Sequence, residues 1–175
     1  MRFLALSGSG RSISTNTALL RSVADIASPV HQVKLFAEVA DLPVFSPDIE
    51  AAQLPDSVQA FADLIRESDG LIISSPEYVR AIPGGLKNAI DWLVSREEII
   101  SKPIALMHAS HRGDDMLAQL RLVLSTVSHR FTPDLFLRFE FMALSPDDIA
   151  QRMALLENQD AVRAFLDAFA DYCKQ

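Results

Sequence analysis

Short apolar segments alternate with segments of helical periodicity along the whole chain. The apolar pattern predicts strands at Arg2–Leu6, His31–Phe36, Gly70–Ser74, Pro103–His108 and Asp134–Phe141, of which the second and fifth alternate polar and apolar positions. Helical spacing predicts helices at Thr15–Ile26, Ser57–Glu67, Pro83–Leu93 and Asp115–Val127, with further helices within Ser145–Tyr172. Three prolines within Asp41–Pro55 predict a long loop there.

This alternation is typical of a parallel sheet covered by helices on both faces. Five strands in 175 residues predict a single α/β domain over residues 1–175, a flavodoxin-like three-layer sandwich with strand order 2-1-3-4-5. Such sheets bind ligands beyond the carboxyl ends of their strands, where the strand order reverses. The loops to consider are therefore Ser7–Asn16, Ser75–Pro83 and Ala109–Asp114.

The first of these loops supports two hypotheses. Gly8-x-Gly10 begins a dinucleotide-binding fingerprint, with Glu38 as a candidate ribose-binding acid, but Ile13 stands where the third glycine belongs. The alternative is a phosphate site, in which Arg11, the amide of Asn16, several hydroxyls and the free N–H groups of the next helix bind an anion. The hydroxyls belong to Ser7, Ser9, Ser12, Ser14 and Thr15. One of them would suffice to cap the helix, so the number favours the phosphate site.

The second loop has the chemistry to hold a flat heterocycle. Pro76 and Pro83 stiffen it, and Gly84 and Gly85 allow close approach of the backbone, whose N–H and C=O groups can pair with a heterocycle edge. Tyr78 can supply a flat wall or simply pack half-buried. Trp92, at helical spacing from Ala89, is predicted to be a core residue.

Two motifs in this order and spacing resemble the NADPH-dependent FMN reductase family. Gly8–Asn16 reads G-S-x-R-x-x-S-x-N, and Pro76-Glu77-Tyr78 is followed by Ile82-Pro83-Gly84 and by Leu86–Trp92. The resemblance implies a flavodoxin-like fold with bound FMN, in a family that includes flavin, quinone, azo-dye and chromate reductases and often forms dimers or tetramers. It also implies the positions of the contacts. Ser9, Arg11, Ser14 and Asn16, with the adjoining Thr15, would hold the FMN phosphate, and Pro76, Glu77 and Tyr78 would line the flavin ring.

The chain departs from the family pattern in two loops. Val79 stands where the family usually has Asn and is followed by Arg80, and Ala109–Asp114 replaces a glycine-rich loop. Val79, Arg80, Ser110 and His111 complete the expected cofactor-binding set, with His111 a candidate partner for a flavin or quinone oxygen. Arg80 and Arg112 are candidates for the phosphates of NADPH or NADH, although both could be ordinary solvated arginines. No catalytic side chain is expected, because FMN carries the chemistry.

Charge and composition limit the classes of partner and function that fit this sequence. A net charge of −7 argues against nucleic acid, and no segment reaches the roughly 20 apolar residues of a membrane span. Cys173 is the only cysteine, which fits a cytoplasmic protein, and with it the unclustered His31, His108 and His129 show no metal-site spacing. An aspartyl-phosphate receiver domain is excluded by Leu6-Ser7-Gly8-Ser9, which lacks the acidic cluster for Mg²⁺.

The sequence therefore predicts an FMN-dependent NAD(P)H:acceptor oxidoreductase, acting on a small-molecule electron acceptor as a homodimer or homotetramer. The alternative is an FMN-binding electron-transfer protein without nicotinamide activity of its own.

Overall fold

Five parallel strands form one sheet in the predicted order β2-β1-β3-β4-β5. The structure is a computed structural model that describes residues 1–175. The strands are β1 (Arg2–Ser7), β2 (Gln32–Phe36), β3 (Gly70–Ser74), β4 (Ile104–His108) and β5 (Phe131–Arg138).

Alternate side chains of the central strands enter two separate cores, one on each face of the sheet. In β1, Leu4 and Leu6 belong to one core, whereas Phe3 and Ala5 belong to the other. This two-sided burial explains why β1, β3 and β4 are nearly continuous apolar runs. The predicted fold class is confirmed.

Helices cover both faces. They are α1 (Thr15–Ala27), α2 (Pro47–Ala52), α3 (Asp56–Glu67), α4 (Gly84–Asp91), α5 (Glu97–Ile100), α6 (Asp114–Val127), α7 (Pro146–Met153) and α8 (Leu156–Cys173). Helices α1, α7 and α8 contribute to the core that contains Phe3, and α3, α4, α5 and α6 to the core that contains Leu4. Trp92 is fully buried in the latter, as predicted. No helix has both the length and the apolar character needed to cross a membrane.

The prediction of a continuous loop over Asp41–Pro55 is wrong, because this segment contains α2. Ser46 caps the helix by accepting a hydrogen bond from the N–H of Asp48, and Pro47 occupies the first turn. Proline is tolerated there because its missing N–H would have no partner within the helix. The prolines therefore mark a helix start as well as loop.

The fifth strand also begins and ends earlier than the predicted Asp134–Phe141. It contains Pro133, which is tolerated because β5 lies at the edge of the sheet, and its register with β4 is irregular between Ile104 and Leu106. Pairing nevertheless continues past the strand, where the Phe139 N–H donates to the carbonyl of His108. Helix α5 is an addition to the helices predicted from the sequence.

The reversal of strand order lies between β1 and β3, whose carboxyl ends are adjacent. Ser7 pairs in register with Ser74, and the Gly8 N–H donates to the Ser74 carbonyl at 2.8 Å. The loops that follow β1 and β3 therefore leave the sheet side by side, and the loop after β4 leaves one strand further along.

Candidate functional site

The loop between β1 and α1 presents backbone donors that the protein itself does not use. Within Gly10–Asn16 only the Arg11 N–H has an acceptor, the Ser9 hydroxyl at 3.3 Å. The N–H groups of Gly10, Ser12, Ile13, Ser14, Thr15 and Asn16 have no acceptor in the protein. The first turn of a helix leaves such N–H groups free and carries a partial positive charge, so this loop can bind an anion.

Two of the predicted hydroxyls also shape the loop. Ser14 is the N-cap of α1 and accepts from the Thr17 N–H at 3.3 Å, while Ser7 Oγ and Thr17 Oγ1 lie 2.8 Å apart in a buried contact. Arg11 is exposed and forms no ion pair in a chain that carries 23 acidic residues. Its guanidinium is therefore available to a ligand.

Asn16 joins the first loop to the second. Its Oδ1 accepts a hydrogen bond from Ser74 Oγ at 2.8 Å, which leaves its Nδ2 group without a partner in the protein. Gly8 lies in the same junction, where a Cβ atom would stand 2.5 Å from Ser75 Oγ and 2.7 Å from Leu86 Cδ2. Only glycine allows the two loops to approach this closely.

The second loop contains a tight turn at Tyr78–Ala81. Tyr78 and Ala81 exchange backbone hydrogen bonds of 3.1 and 3.0 Å, so that Val79 and Arg80 form a two-residue turn. Both have positive φ, 52° for Val79 and 60° for Arg80. Such turns favour Asn-Gly, because a β-branched residue is strained in the left-handed region.

Helix α6 holds this turn in place. Arg80 Nε donates to Asp115 Oδ2 at 2.5 Å, and Gln119 Nε2 donates to the Arg80 carbonyl at 3.0 Å. Glu77 Oε2 accepts from the Met116 N–H at 3.1 Å and so caps α6, whose N-cap residue Gly113 has no side chain to do so. The Glu77 carboxylate is thus engaged with α6.

The third loop, between β4 and α6, is held by its own hydrogen bonds. Ser110 Oγ accepts from the Arg112 N–H at 3.0 Å, and the buried ring of His108 lies with Nε2 2.6 Å from the Arg112 carbonyl. Burial lowers the pKa of His108, and the nearby Arg138 lowers it further, against the opposing effects of the Arg112 and Ser75 carbonyls and of Asp114. The imidazole is therefore neutral at pH 7.

A cavity of about 260 Å³ lies where the three loops meet. Of the predicted residues, Thr15, Asn16, Pro76, Glu77 and Ser110 line it. The remaining lining residues are His108, Ala109, Arg112, Gly113 and Met142.

The structure thus divides the predicted set into three groups. Thr15, Asn16, Pro76, Glu77 and Ser110 line the cavity; Ser9, Arg11 and Ser14 lie in the adjoining first loop. Tyr78, Val79, Arg80 and His111 are exposed and are not among the cavity-lining residues, Val79 being 99% exposed.

Sequence reasoning missed His108 and Met142. His108 looked like the end of an apolar strand, and the only signal was a polar residue at its carboxyl end. Met142 reaches the cavity from beyond β5, which no local pattern indicates.

Comparison with known proteins places this site in a family context. The NADPH-dependent FMN reductase family matches residues 1–139, which include all five strands and the three loops. A quinone reductase of Escherichia coli strain K12 is 35% identical over 113 residues, 63% of this chain. An NAD(P)H-dependent FMN reductase of Pseudomonas aeruginosa is 36% identical over 112 residues, also 63% of this chain.

The match to these two relatives spans 60% of the length of each. Among solved structures, FerB, a flavoenzyme NAD(P)H:(acceptor) oxidoreductase from Paracoccus denitrificans, is similar over 99% of this chain and 97% of its own. The TM-score is 0.75 at 25% identity.

Proposed function

Because the chain belongs to the NADPH-dependent FMN reductase family, we propose that it is an FMN-dependent NAD(P)H:acceptor oxidoreductase. The observation that carries the proposal is the first loop, where six backbone N–H groups without an acceptor lie beside an arginine without an ion-pair partner. A terminal phosphate carries nearly two negative charges, and such a donor set suits it well.

The donor chemistry of the site fits FMN. The loop offers N–H and hydroxyl donors and a guanidinium but no carboxylate, which is what a phosphate needs. On the far side of Asn16, the cavity between Pro76 and Ser110 offers a place for a flat ring. When bound, FMN would supply hydride acceptance and two-electron transfer.

In this proposal the protein binds and orients. Ser9, Arg11, Ser14, Thr15 and Asn16 hold the phosphate. Pro76 and Glu77 form one wall of the ring site, and Ser110 with Arg112 forms the other. The N–H groups of Ser110, His111 and Gly113 have no acceptor in the protein and can donate to the edge of a heterocycle.

The two candidate arginines for the phosphates of NADPH or NADH differ in their contacts. Arg80 is held by Asp115, whereas Arg112 is exposed, forms no ion pair and lines the cavity. We therefore assign the first contact with the nicotinamide nucleotide to Arg112. Tyr78, Val79, Arg80 and His111 remain candidates at the rim of the site.

In the same proposal the protein reduces a small-molecule acceptor such as a quinone, flavin, azo compound or chromate, and it binds neither nucleic acid nor a membrane. A homodimer or homotetramer in the cytoplasm is proposed with it. Support for self-association comes from exposed apolar side chains in loops near the carboxyl edge of the sheet, including Ile13, Val44, Val79 and Met142. Light scattering that shows a monomer at micromolar concentration would contradict the oligomer.

Titration with FMN and anaerobic reduction test the function. The protein should quench FMN fluorescence stoichiometrically, turn yellow, and lose the yellow colour when NADPH or NADH is added without oxygen. A quinone should then restore the colour. Absence of FMN uptake would refute the proposal, and uptake without bleaching by either nucleotide would favour the electron-transfer alternative.

A further inference from the structure

His108 is a buried titratable side chain for which the proposed function has no use. It is the last residue of β4, is 1% exposed, and contributes to the wall of the cavity. A histidine at this depth either fills space or holds something in position, and its contacts distinguish these roles.

The ring of His108 is bonded to the third loop. Nε2 lies 2.6 Å from the carbonyl oxygen of Arg112. Since a carbonyl only accepts, Nε2 carries the proton, and the buried Nδ1 is left with no partner. Arg112 is therefore held at both backbone groups, its carbonyl by His108 and its N–H by Ser110 Oγ.

Gly113 completes the contact. A Cβ atom at this position would lie 2.8 Å from His108 Nε2 and 3.0 Å from Cε1, and the glycine has a φ of +98°. Its carbonyl accepts from the Leu117 N–H in the first turn of α6. The ring of His108, the loop and the start of α6 therefore form one packed unit.

The position of this loop has consequences for a ligand. Ser110, Arg112 and Gly113 line the cavity opposite Pro76 and Glu77. The free N–H groups of Ser110 and Gly113 move with the loop, so a displacement of the Arg112 carbonyl would change the cavity width and the donor positions together.

We propose that His108 is a positioning residue of the FMN site: its hydrogen bond to the Arg112 carbonyl fixes the Ser110–Gly113 loop and thereby the width of the ring-binding cavity. The inference rests on the proposed function, because it assigns the cavity to the flavin ring. His108 itself needs no contact with the ring to act in this way.

Two substitutions of His108 separate the hydrogen bond from simple filling of space. His108→Leu keeps an apolar side chain but has no donor, whereas the Nε2 group of His108→Gln can still donate to the Arg112 carbonyl. We expect the dissociation constant for FMN to rise about tenfold in His108→Leu, the effect of one lost buried hydrogen bond, and to stay within about threefold of wild type in His108→Gln. His129→Leu, at an exposed position beyond the other end of α6, is the control and should match wild type.

Gly113→Asn tests the same contact from the loop side. Asparagine adopts a positive φ more readily than other non-glycine residues, so it limits the backbone strain at this position while it adds the Cβ atom that meets the histidine ring. We expect a similar weakening of FMN binding. The proposal is overturned if His108→Leu or Gly113→Asn binds FMN as tightly as wild type, or if His108→Gln binds as weakly as His108→Leu.

Amide hydrogen exchange on FMN-free protein provides a readout that does not depend on the proposed function. His108→Leu should accelerate exchange of the hydrogen-bonded Arg112 and Leu117 amides and leave the Thr17 and Ala18 amides at the start of α1 unchanged, while His108→Gln should leave all four near wild type. If wild type binds no FMN, the proposed function fails, and exchange alone decides whether His108 holds the loop. Equal exchange of the third loop in wild type and His108→Leu would overturn that role.

Discussion

The β1–α1 loop and the β4–α6 loop border the same site, yet they use their polar groups in opposite ways. The first loop leaves six N–H groups and the Arg11 guanidinium without partners in the protein. In the third loop both backbone groups of Arg112 are bonded to side chains of the loop and of β4. The first loop thus leaves a charged side chain and most of its donors free, whereas the third, although its Ser110, His111 and Gly113 N–H groups are also free, is fixed in shape at Arg112.

This difference indicates how the two ends of a bound cofactor would be recognised. A phosphate needs donors at a helix start, which a short stretch of sequence can supply. The shape of a ring pocket instead depends on how loops from different strands are held relative to one another, here by His108, Glu77 and the first turns of α6. Affinity should therefore depend most on the first loop, and fine selectivity on the other two.

The largest expected effect is the loss of FMN affinity when Arg11 is substituted. Arg11→Ala should weaken FMN binding by about 1.5–3 kcal/mol, or roughly 10- to 150-fold, because a hydrogen bond to a charged group is lost. Fluorescence titration of the apoprotein measures it. Arg21→Ala, an exposed arginine of α1 that also forms no ion pair, is the control and should bind as wild type does. Equal affinities in the two variants would place the phosphate elsewhere.

Gly8→Ala should act on the junction between the first two loops. Its Cβ would meet Ser75 and Leu86, both fully buried, so the free energy of unfolding should fall by about 1–3 kcal/mol, the usual cost of overpacking. Urea unfolding measures the loss. Gly84→Ala is the matched control, since a Cβ there meets nothing within 4 Å. A destabilisation of the same size in both variants would contradict the close approach at Gly8.

The same contrast explains what could be predicted from the sequence. Sheet order and the first loop follow from local signals: apolar runs at β1, β3 and β4, and Ser14, which both ends the loop and caps α1. Helix α2 was missed because Pro47 was interpreted as a helix breaker, although it occupies a helix start. The bounds of β5 were misplaced because they depend on how this edge strand pairs with β4.

The roles of Glu77 and His108 could not be predicted in this way. Glu77 caps a helix that begins 37 positions later, with Met116 as its partner 39 positions away. The pairing of His108 with Arg112 depends on the path of a loop that has no periodic pattern. Glu77 acts through a long-range contact and His108 through a local one within an irregular loop, and the spacing of residue types reveals neither.

A substitution in the second loop is expected to raise the free energy of unfolding, by less than the loss expected for Gly8→Ala. Val79 is 99% exposed and has a φ of 52°, so it adds strain without packing. Val79→Asn introduces a residue that tolerates this conformation and should raise the free energy of unfolding by about 1 kcal/mol. Val44→Asn, at an 81% exposed valine without positive φ, should bring no such gain. A lower melting temperature for Val79→Asn would show that the turn is not strained as described.

The smallest effect is a dependence on pH that comes from the third loop. Burial, together with Arg138, lowers the folded-state pKa of His108 below its ordinary value of 6.5, while the Arg112 and Ser75 carbonyls and Asp114 oppose the shift. Well above pH 6.5 the imidazole is neutral in both the folded and the unfolded chain. As the pH falls below 6.5 the unfolded chain binds a proton that the folded chain does not, so stability falls until the folded pKa is passed.

Glutamine does not bind this proton. The free energy of unfolding of His108→Gln, relative to that of wild type, should therefore be higher at pH 5.5 than at pH 7.5. Urea unfolding at the two pH values measures the change, and His129→Gln, at an exposed histidine, should keep the pH dependence of wild type. Parallel pH profiles for wild type and His108→Gln would mean that His108 is protonated in the folded chain. Both of its ring nitrogens would then carry a proton, and the loop would be held by a charged group rather than a neutral one.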